Sequence, residues 1–272
     1  MTGSFMRTRA PVSTVDKDET TADRQFISAL ARGFHVMRAY GPEDQVLSNT
    51  ELSRRTGLPK PTITRLTYTL CKLGYLSQDS TGRYRLDPHV LTLGFPVLAR
   101  LNVREIARPM MQTLAESSNV TVSLGMRDGL HMVFVQRIRS DSPVMLQQDI
   151  GTRVPIARTA LGRAYLAGLP TRERASLFED LHRATPASDW IALREKIEAE
   201  INRYHQHGYC LGGDWDASLN GAAAPLVLTG RSVLALGCGG ASAGLPKRKL
   251  LKLGLAVKDI VKRIELAQGS SL

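Results

Sequence analysis

Ser48-Asn49-Thr50-Glu51-Leu52-Ser53-Arg54-Arg55-Thr56-Gly57-Leu58-Pro59-Lys60-Pro61-Thr62-Ile63-Thr64-Arg65-Leu66 opens a stretch, running on to Leu86, whose reading decides the fold. Ser48 stands three residues before Glu51, the spacing of a capping box in which hydroxyl and carboxylate satisfy each other's backbone donors. Leu52 begins an apolar face, and Gly57 ends the helix because glycine adopts the left-handed conformation that helix ends need. Leu58-Pro59 makes the turn. Pro61 suits the first turn of a second helix, where its missing N–H costs nothing. Ile63, Leu66, Leu70 and Leu73 then recur at helical spacing and predict a buried face. Gly74 closes that helix. Tyr75–Gln78 and Arg83–Leu86 alternate as the arms of a hairpin around Asp79-Ser80-Thr81-Gly82. Helix, turn, helix and hairpin in this order outline a winged helix-turn-helix.

The opposite face of the second helix carries Thr62, Thr64, Arg65 and Tyr68, introduced by Lys60. Short hydroxyls with one arginine and one tyrosine suit a helix lying in the major groove of double-stranded DNA. Arg83 and Arg85 point from one face of the wing toward phosphates. Ser48 at the start of the first helix, with Arg54 and Arg55 at its end, completes the candidate DNA-binding set. The two arginines suit solvated charges and backbone contacts better than base reading. Each piece also has a plain reading, since helix-turn-helix outlines occur in proteins that never touch DNA and Tyr68 is equally a surface aromatic. A ligand sensor whose winged domain docks a protein is the alternative. It predicts aromatic and aliphatic anchors where this sequence places polar and basic residues.

Composition bounds the rest. With 272 residues and 43% hydrophobic content, the chain can bury two modest cores or one large one, and two domains are the better expectation. A net charge of +11 favours polyanionic partners and adds counterion release to any DNA affinity. Cys71, Cys210 and Cys238 have no metal-ligand spacing and are odd in number, so no disulfide framework, metal site or cofactor is suggested and a reducing cytoplasm is expected. No apolar run approaches the ~20 residues of a membrane span, and no signal peptide is expected.

Four segments follow from the patterning. Residues 1–23 lack periodicity and predict a disordered tail. Residues 24–86 form the winged domain, in which Phe26, Ile27, Leu30, Phe34 and Met37 predict the apolar face of a first helix packed behind the other two. Residues 87–102 read as a linker helix interrupted by Gly94 and Pro96, and 103–272 as a second domain opening on a helix from Glu105 to Ser117. There, strands are expected over Val120–Met126, His131–Arg137 and Val144–Gln148, with a hairpin from Ala222–Leu228 to Ser232–Gly237. Helices are expected over Thr159–Ala167, Thr171–Leu181, Ile191–His207 and Pro246–Ala267. Strands flanked by helices without strict repetition indicate an α+β sheet domain.

Over almost the whole chain the sequence resembles the IclR-type transcriptional regulators. In the first domain the resemblance rests on Leu30-Ala31-Arg32-Gly33-Phe34, Thr50 to Lys60, Thr64-Arg65-Leu66, Leu73-Gly74-Tyr75-Leu76 and Gly82-Arg83-Tyr84. In the second it rests on Gly151-Thr152-Arg153-Val154-Pro155, Thr159-Ala160-Leu161-Gly162-Arg163-Ala164, Gly208-Tyr209 and Ala223-Ala224-Pro225. The Ala31-Arg32-Gly33 segment is further similar to the branch that regulates aromatic-acid catabolism. The resemblance implies a cytoplasmic DNA-binding repressor or activator, a homodimer or homotetramer on a palindromic operator. It also implies pairing of linker helices, and a C-terminal GAF- or profilin-like domain holding a small carboxylate effector.

From the residues alone, Thr159 caps a helix whose free N–H groups make an anion site, or it caps a helix that is merely packed. The resemblance favours the first and implies a pocket formed by Thr159, Ala160, Leu161 and Gly162. It adds Val144, Met145 and Leu146 from the sheet, Asp214 and Trp215 from a loop, and Gly237, Cys238 and Gly239 from a strand. Members that hold small oxoacids tend to carry serine where this chain has Gly237 and Gly239, which leaves backbone donors and more room. Trp215, in an acidic loop one residue shorter than usual, suits stacking on an aromatic ring, so a bulkier effector than a two- or three-carbon acid is expected.

Other chemistry is thin. His205 and His207 lie on different faces of a helix end, which argues against a shared metal. Cys210 and Cys238 read as buried small apolar groups. Gly237-Cys238-Gly239-Gly240 lacks the lysine and hydroxyl of a phosphate-gripping loop. No nucleophile elbow, zinc-protease signature or carboxylate pair appears, so no catalytic residue is expected and an enzyme is the weakest class.

Overall fold

The computed structural model describes residues 24–139, 149–212, 214–230 and 232–269. The tail 1–23 and the expected strand Val144–Gln148, with candidates Val144, Met145 and Leu146, lie outside the described residues. The chain divides into two compact units between Val97 and Leu98, inside the segment read as a linker.

The first unit contains α1 (Ser28–Arg38), α2 (Asn49–Thr56), α3 (Lys60–Lys72) and an antiparallel pair, β1 (Leu76–Gln78) with β2 (Tyr84–Leu86). The capping box is present: Glu51 accepts from the Ser48 N–H at 2.8 Å, and the Ser48 hydroxyl accepts from the Glu51 N–H at 3.2 Å. Gly57 takes φ +70°, the left-handed value that ends α2 without strain. Val36, Leu47, Leu52, Ile63, Leu70 and Leu76 form the core, and paired hydrogen bonds between Leu47 and Tyr84 fasten the wing to the segment that enters α2.

Two expectations about burial change. Phe26 and Ile27 precede α1, and its Leu30 and Phe34 are 58% and 45% exposed, because α2 and α3 cover α1 only around Val36 and Ala39. Leu73, expected inside, is 58% exposed because it sits at the C-cap of α3, past the last turn that meets the core. After a 3-10 turn, α4 (Leu91–Ala99) runs without a break through Gly94 and Pro96. A proline removes only one N–H from the ladder, and on a helix this exposed the carbonyl left over faces solvent.

The second unit is a six-stranded antiparallel sheet between two helical layers. Its elements are α5 (Val103–Ser118), β3 (Thr121–Asp128), β4 (His131–Ile138), β5 (Arg153–Pro155), α6 (Ala160–Gly168), α7 (Thr171–Ala184) and α8 (Ala187–His207), followed by β6 (Cys210–Gly212), β7 (Leu219–Val227), β8 (Val233–Ala241) and α9 (Lys247–Gly269). The strand order is β5-β4-β3-β8-β7-β6. On one face Val122, Leu124, Leu236 and Cys238 pack against Met111 of α5 and Val257 and Ile264 of α9. On the other, Phe134, Ala223 and Ala235 meet Leu161 of α6, Leu177 of α7 and Ile197 of α8. The hairpin β7–β8 is longer than its expected arms, and β5 and β6, three residues each, were below the length that alternation can detect.

Candidate functional site

On α3, Ile63, Thr67 and Leu70 are buried while Lys60, Thr64, Arg65 and Tyr68 are exposed and Thr62 is half-buried. The polar stripe expected to meet DNA therefore faces solvent. Thr64 is held in place: its hydroxyl donates to the Lys60 carbonyl at 3.0 Å and accepts from the Asn49 amide of α2 at 2.8 Å. The Lys72 ammonium lies 5.6 Å from the centroid of the Tyr68 ring, within cation–π range. In the wing, the Asp79 carboxylate accepts from the Thr81 and Arg83 N–H groups, each at 2.9 Å, and these bonds with the Thr81 hydroxyl hold it below the usual carboxylate range. Arg83 and Arg85 are exposed, and the Arg85 Nε donates to the Ser77 hydroxyl at 2.9 Å.

Two of the candidates have other engagements. Ser48 is occupied by the capping box. Arg55 grips both carboxylate oxygens of Asp44 and donates to the Ala39 carbonyl at 3.0 Å, latching the loop after α1 onto α2. It is a structural tie, unlike its exposed neighbour Arg54. Its partner lies outside the helix, eleven residues earlier, so helical spacing could not reveal it.

The second unit contains a cavity of about 120 Å3 between the N-terminus of α6 and the sheet. Sheet register explains its floor. Arg137, Ser123, Gly237 and Ala223 stand side by side on β4, β3, β8 and β7, and Thr121, Gly239, Gly221 and Gly212 form the next row from β3 to β6. Residues between these rows, such as Val122 and Cys238, turn into the opposite core. Cys238 thus lines the cavity through its backbone, and burial pushes its thiol up to about 12.

At the helix end, the Thr159 hydroxyl accepts from the Gly162 N–H at 3.1 Å and donates to the Pro155 carbonyl at 2.8 Å. The Ala160 and Leu161 N–H groups precede the first intrahelical bond and stand at the cavity wall. Gly212 is what lets β6 approach them, since a Cβ there would lie 2.4 Å from the Ala160 nitrogen. Trp215 and the half-buried Arg158 complete this end.

Thr159, Ala160, Leu161, Trp215, Gly237, Cys238 and Gly239 all border the cavity. Gly162 and Asp214 do not. Gly162 packs on Ile156, whose carbonyl oxygen would lie 2.0 Å from a Cβ. Asp214 turns away to Arg163 of α6, at 2.6 Å, and toward Lys196 of α8, at 3.6 Å. The room expected at Gly237 is taken by Leu161 and Ala223, 3.1 and 3.0 Å from a Cβ placed there. Sequence reading missed Thr121, Ser123, Phe134, Arg137 and Asn220. Only one faint signal pointed to them: with Val122 and Leu124 apolar, alternation puts Thr121 and Ser123 on the other face.

Among the described residues no group of three or more His, Cys, Asp or Glu could hold a metal, and no helix is long and apolar enough to cross a membrane.

Comparison with known proteins agrees with this arrangement. Residues 29–80 match the IclR helix-turn-helix domain, and residues 95–266 match the C-terminal domain of bacterial IclR transcriptional regulators. The chain is 36% identical over 186 residues to the HTH-type transcriptional regulator TsaQ1/TsaQ2 of Comamonas testosteroni, a match spanning 67% of this chain and 66% of that regulator. A crystal structure of an IclR family transcriptional regulator from Brucella abortus superposes with a TM-score of 0.76 at 39% identity, covering 90% of this chain and 94% of that one. An IclR homologue from Microbacterium hydrocarbonoxydans, solved in complex with 4-hydroxybenzoate, shares the fold at 19% identity with a TM-score of 0.70, over 89% of this chain and all of that one.

Proposed function

Because the chain belongs to the IclR family of transcriptional regulators, we propose that its winged unit binds a palindromic DNA operator and that a small carboxylate in the second unit controls this binding. The family is one of regulators, not of enzymes. The observation that carries the proposal is the exposed stripe Lys60, Thr64, Arg65 and Tyr68 on a helix whose other side is locked into the core. Thr62, Arg83, Arg85 and Arg54 extend it toward the phosphates. Palindromic recognition needs two copies. Exposed Leu91, Leu93, Phe95 and Val97 on α4 support self-association as a dimer, or as a dimer of dimers.

The carboxylate reading is supported by the free N–H groups of Ala160 and Leu161, where the positive end of α6 meets the cavity. An aromatic ring suits the space beside Trp215, Leu161 and Phe134, and the 4-hydroxybenzoate bound by the Microbacterium homologue is consistent with that preference. The ligand acts by favouring one arrangement of the regulator over another. A cytoplasmic location completes the reading, since operator DNA must be accessible.

The test is fluorescence anisotropy of the full chain on DNA flanking its own gene, against scrambled DNA of equal length over a salt series, with and without aromatic acids. Sequence-specific, salt-sensitive binding that shifts with an acid is expected. Equal, weak affinity for both DNAs under every condition would overturn the proposal.

A further inference from the structure

Beyond the operator contact of the winged unit, we infer that the solvent face of α9 in the second unit is a further, sequence-independent contact to the phosphate backbone of duplex DNA. The first support is where the charge sits. α9 carries seven lysines and arginines against two acidic residues, while residues 24–97, the described part of the first unit, carry ten against five. One helix thus holds the same positive surplus as the whole unit expected to grip DNA. Residue type is as uneven, since five of the nine lysines in the chain lie in this helix and arginine dominates elsewhere. Lysine is a compact point charge on a flexible stem, which suits phosphates met in any sequence, whereas the planar fork of arginine suits a fixed carboxylate partner.

Geometry is the second support. Lys247, Arg248, Lys252, Lys258, Lys262 and Arg263 are exposed, opposite the buried Leu250, Leu253, Val257, Ile260 and Ile264. From Lys247 to Arg263 they extend over about 24 Å of helix, the length of roughly seven successive phosphates on one strand. A membrane surface is a poorer match, because the apolar face that would enter lipid is already packed against the sheet. A protein partner is a poorer match too, because the face offers two exposed leucines, Leu255 and Leu266, and no aromatic anchor.

The third support is that these charges lack partners among the described residues. Arg153, Arg163, Arg194 and Arg203 of the same unit each pair with a carboxylate, whereas none of the six cations forms an ion pair with a described residue. Of the two acids in α9, Glu265 is taken by the Val227 N–H at 2.9 Å. Lys258 has a local reason, since its stem lies over Gly208 at the negative end of α8. Lys247, Arg248 and Lys252 have none. They crowd the positive end of α9, whose first turn holds no acid, and Arg248 and Lys252 repel each other one helical turn apart. A charge pattern that works against its own helix is accounted for by an external anion.

The experiment is fluorescence anisotropy of the full chain on DNA flanking its own gene and on scrambled DNA of equal length, between roughly 50 and 200 mM salt. Two triple variants lose equal charge: Lys247→Gln with Arg248→Gln and Lys252→Gln on α9, and Arg172→Gln with Arg183→Gln and Arg194→Gln at exposed positions of α7 and α8. The α9 triple is expected to weaken binding to both DNAs at least tenfold at the lowest salt, with their affinity ratio unchanged, and to flatten the slope of log affinity against log salt by about two to three. The triple on α7 and α8 should leave the slope as it was. At the other end of the face, Lys262→Gln with Arg263→Gln should flatten it by about one to two. Thermal unfolding checks that each variant folds, and the α9 triple should melt no lower than the unaltered chain because it relieves repulsion. Unchanged slopes in both α9 variants overturn the inference, turn the face over to an acidic protein partner and leave the operator reading standing. An equal loss in the triple on α7 and α8 assigns the effect to net charge and overturns it as well. Failure of the unaltered chain to bind either DNA overturns both readings.

Discussion

The winged unit presents its candidate site outward, whereas the second unit builds its own inward. Lys60, Arg65, Tyr68 and Arg83 are exposed, on a backbone whose hydrogen bonds reach only a few positions along the chain. The cavity is assembled from β3, β4, β6, β7, β8 and the end of α6, across more than 100 residues of chain. A convex site needs only a correctly capped local scaffold to project side chains. A concave site needs layers held at a fixed separation, so its integrity depends on ties far from the ligand.

The sharpest way to break this contrast is to cut one such tie. Arg163→Ala removes the buried partner of Asp214 and should lower the unfolding free energy by ~3 kcal/mol, because it leaves a carboxylate between α6 and α8 without its closest cation. Urea unfolding measures it, and acid binding should weaken in parallel while DNA affinity of the folded protein holds. Loss of less than 1 kcal/mol would mean that the concave site does not lean on this tie. In the winged unit, Arg65→Ala should weaken binding to the specific operator by ~1–3 kcal/mol, with no change in melting temperature, if the arginine reads a base. An equal loss on scrambled DNA would reduce it to a phosphate contact.

Two smaller effects sharpen the comparison. Trp215→Ala should cost roughly tenfold in affinity for an aromatic acid, about 1.4 kcal/mol, by calorimetry, and unchanged affinity would remove the stacking role. Ser48→Ala should destabilise the winged unit by ~1 kcal/mol at neutral pH through loss of the helix cap. This effect carries a pH signature. Bonds from the Ser48 N–H and hydroxyl hold the Glu51 carboxyl below its usual range. A depressed carboxylate contributes stability above its unfolded pKa and loses it as pH falls through the folded value. The gap between the unaltered and Ser48→Ala proteins should therefore narrow in acid by the share that the Ser48 hydroxyl donates to the Glu51 carboxylate, while the share from the Glu51 N–H bond to that hydroxyl persists, as followed by circular dichroism.

The same contrast governs what the sequence could tell. Ser48, Glu51, Gly57 and the turn Asp79-Ser80-Thr81-Gly82 each act within four residues, so spacing alone located α2, α3 and the wing. The helix end at Thr159 was legible for the same reason. Arg55 was not, since Asp44 reaches it from outside the helix, nor was Asp214, whose partner is 51 residues away. Arg137 and Ser123 share a row only because β3 and β4 pair in one register, with a bulge between Leu124 and Gly125 that no composition rule anticipates. Leu30, Phe34 and Leu73 have the spacing of a core and yet remain exposed, because periodicity reports that a face is apolar and not what covers it.

The glycine floor has a consequence for how such a cavity changes over time. Gly212, Gly221, Gly237 and Gly239 carry no rotamers, so this wall loses no side-chain entropy when a guest arrives, whereas each flexible side chain ordered on binding costs ~0.5–1.5 kcal/mol. The wall is also resistant to gradual adjustment. The smallest alteration, one methyl group, would lie 2.4 Å from the Ala160 nitrogen at Gly212, and 2.7 Å from the Cys238 and Asn220 carbonyl oxygens at Gly221 and Gly239. In this chain, single substitutions that retune ligand preference are therefore channelled to the residues that face this floor, because at Gly212 and Gly221 even a methyl group would meet backbone.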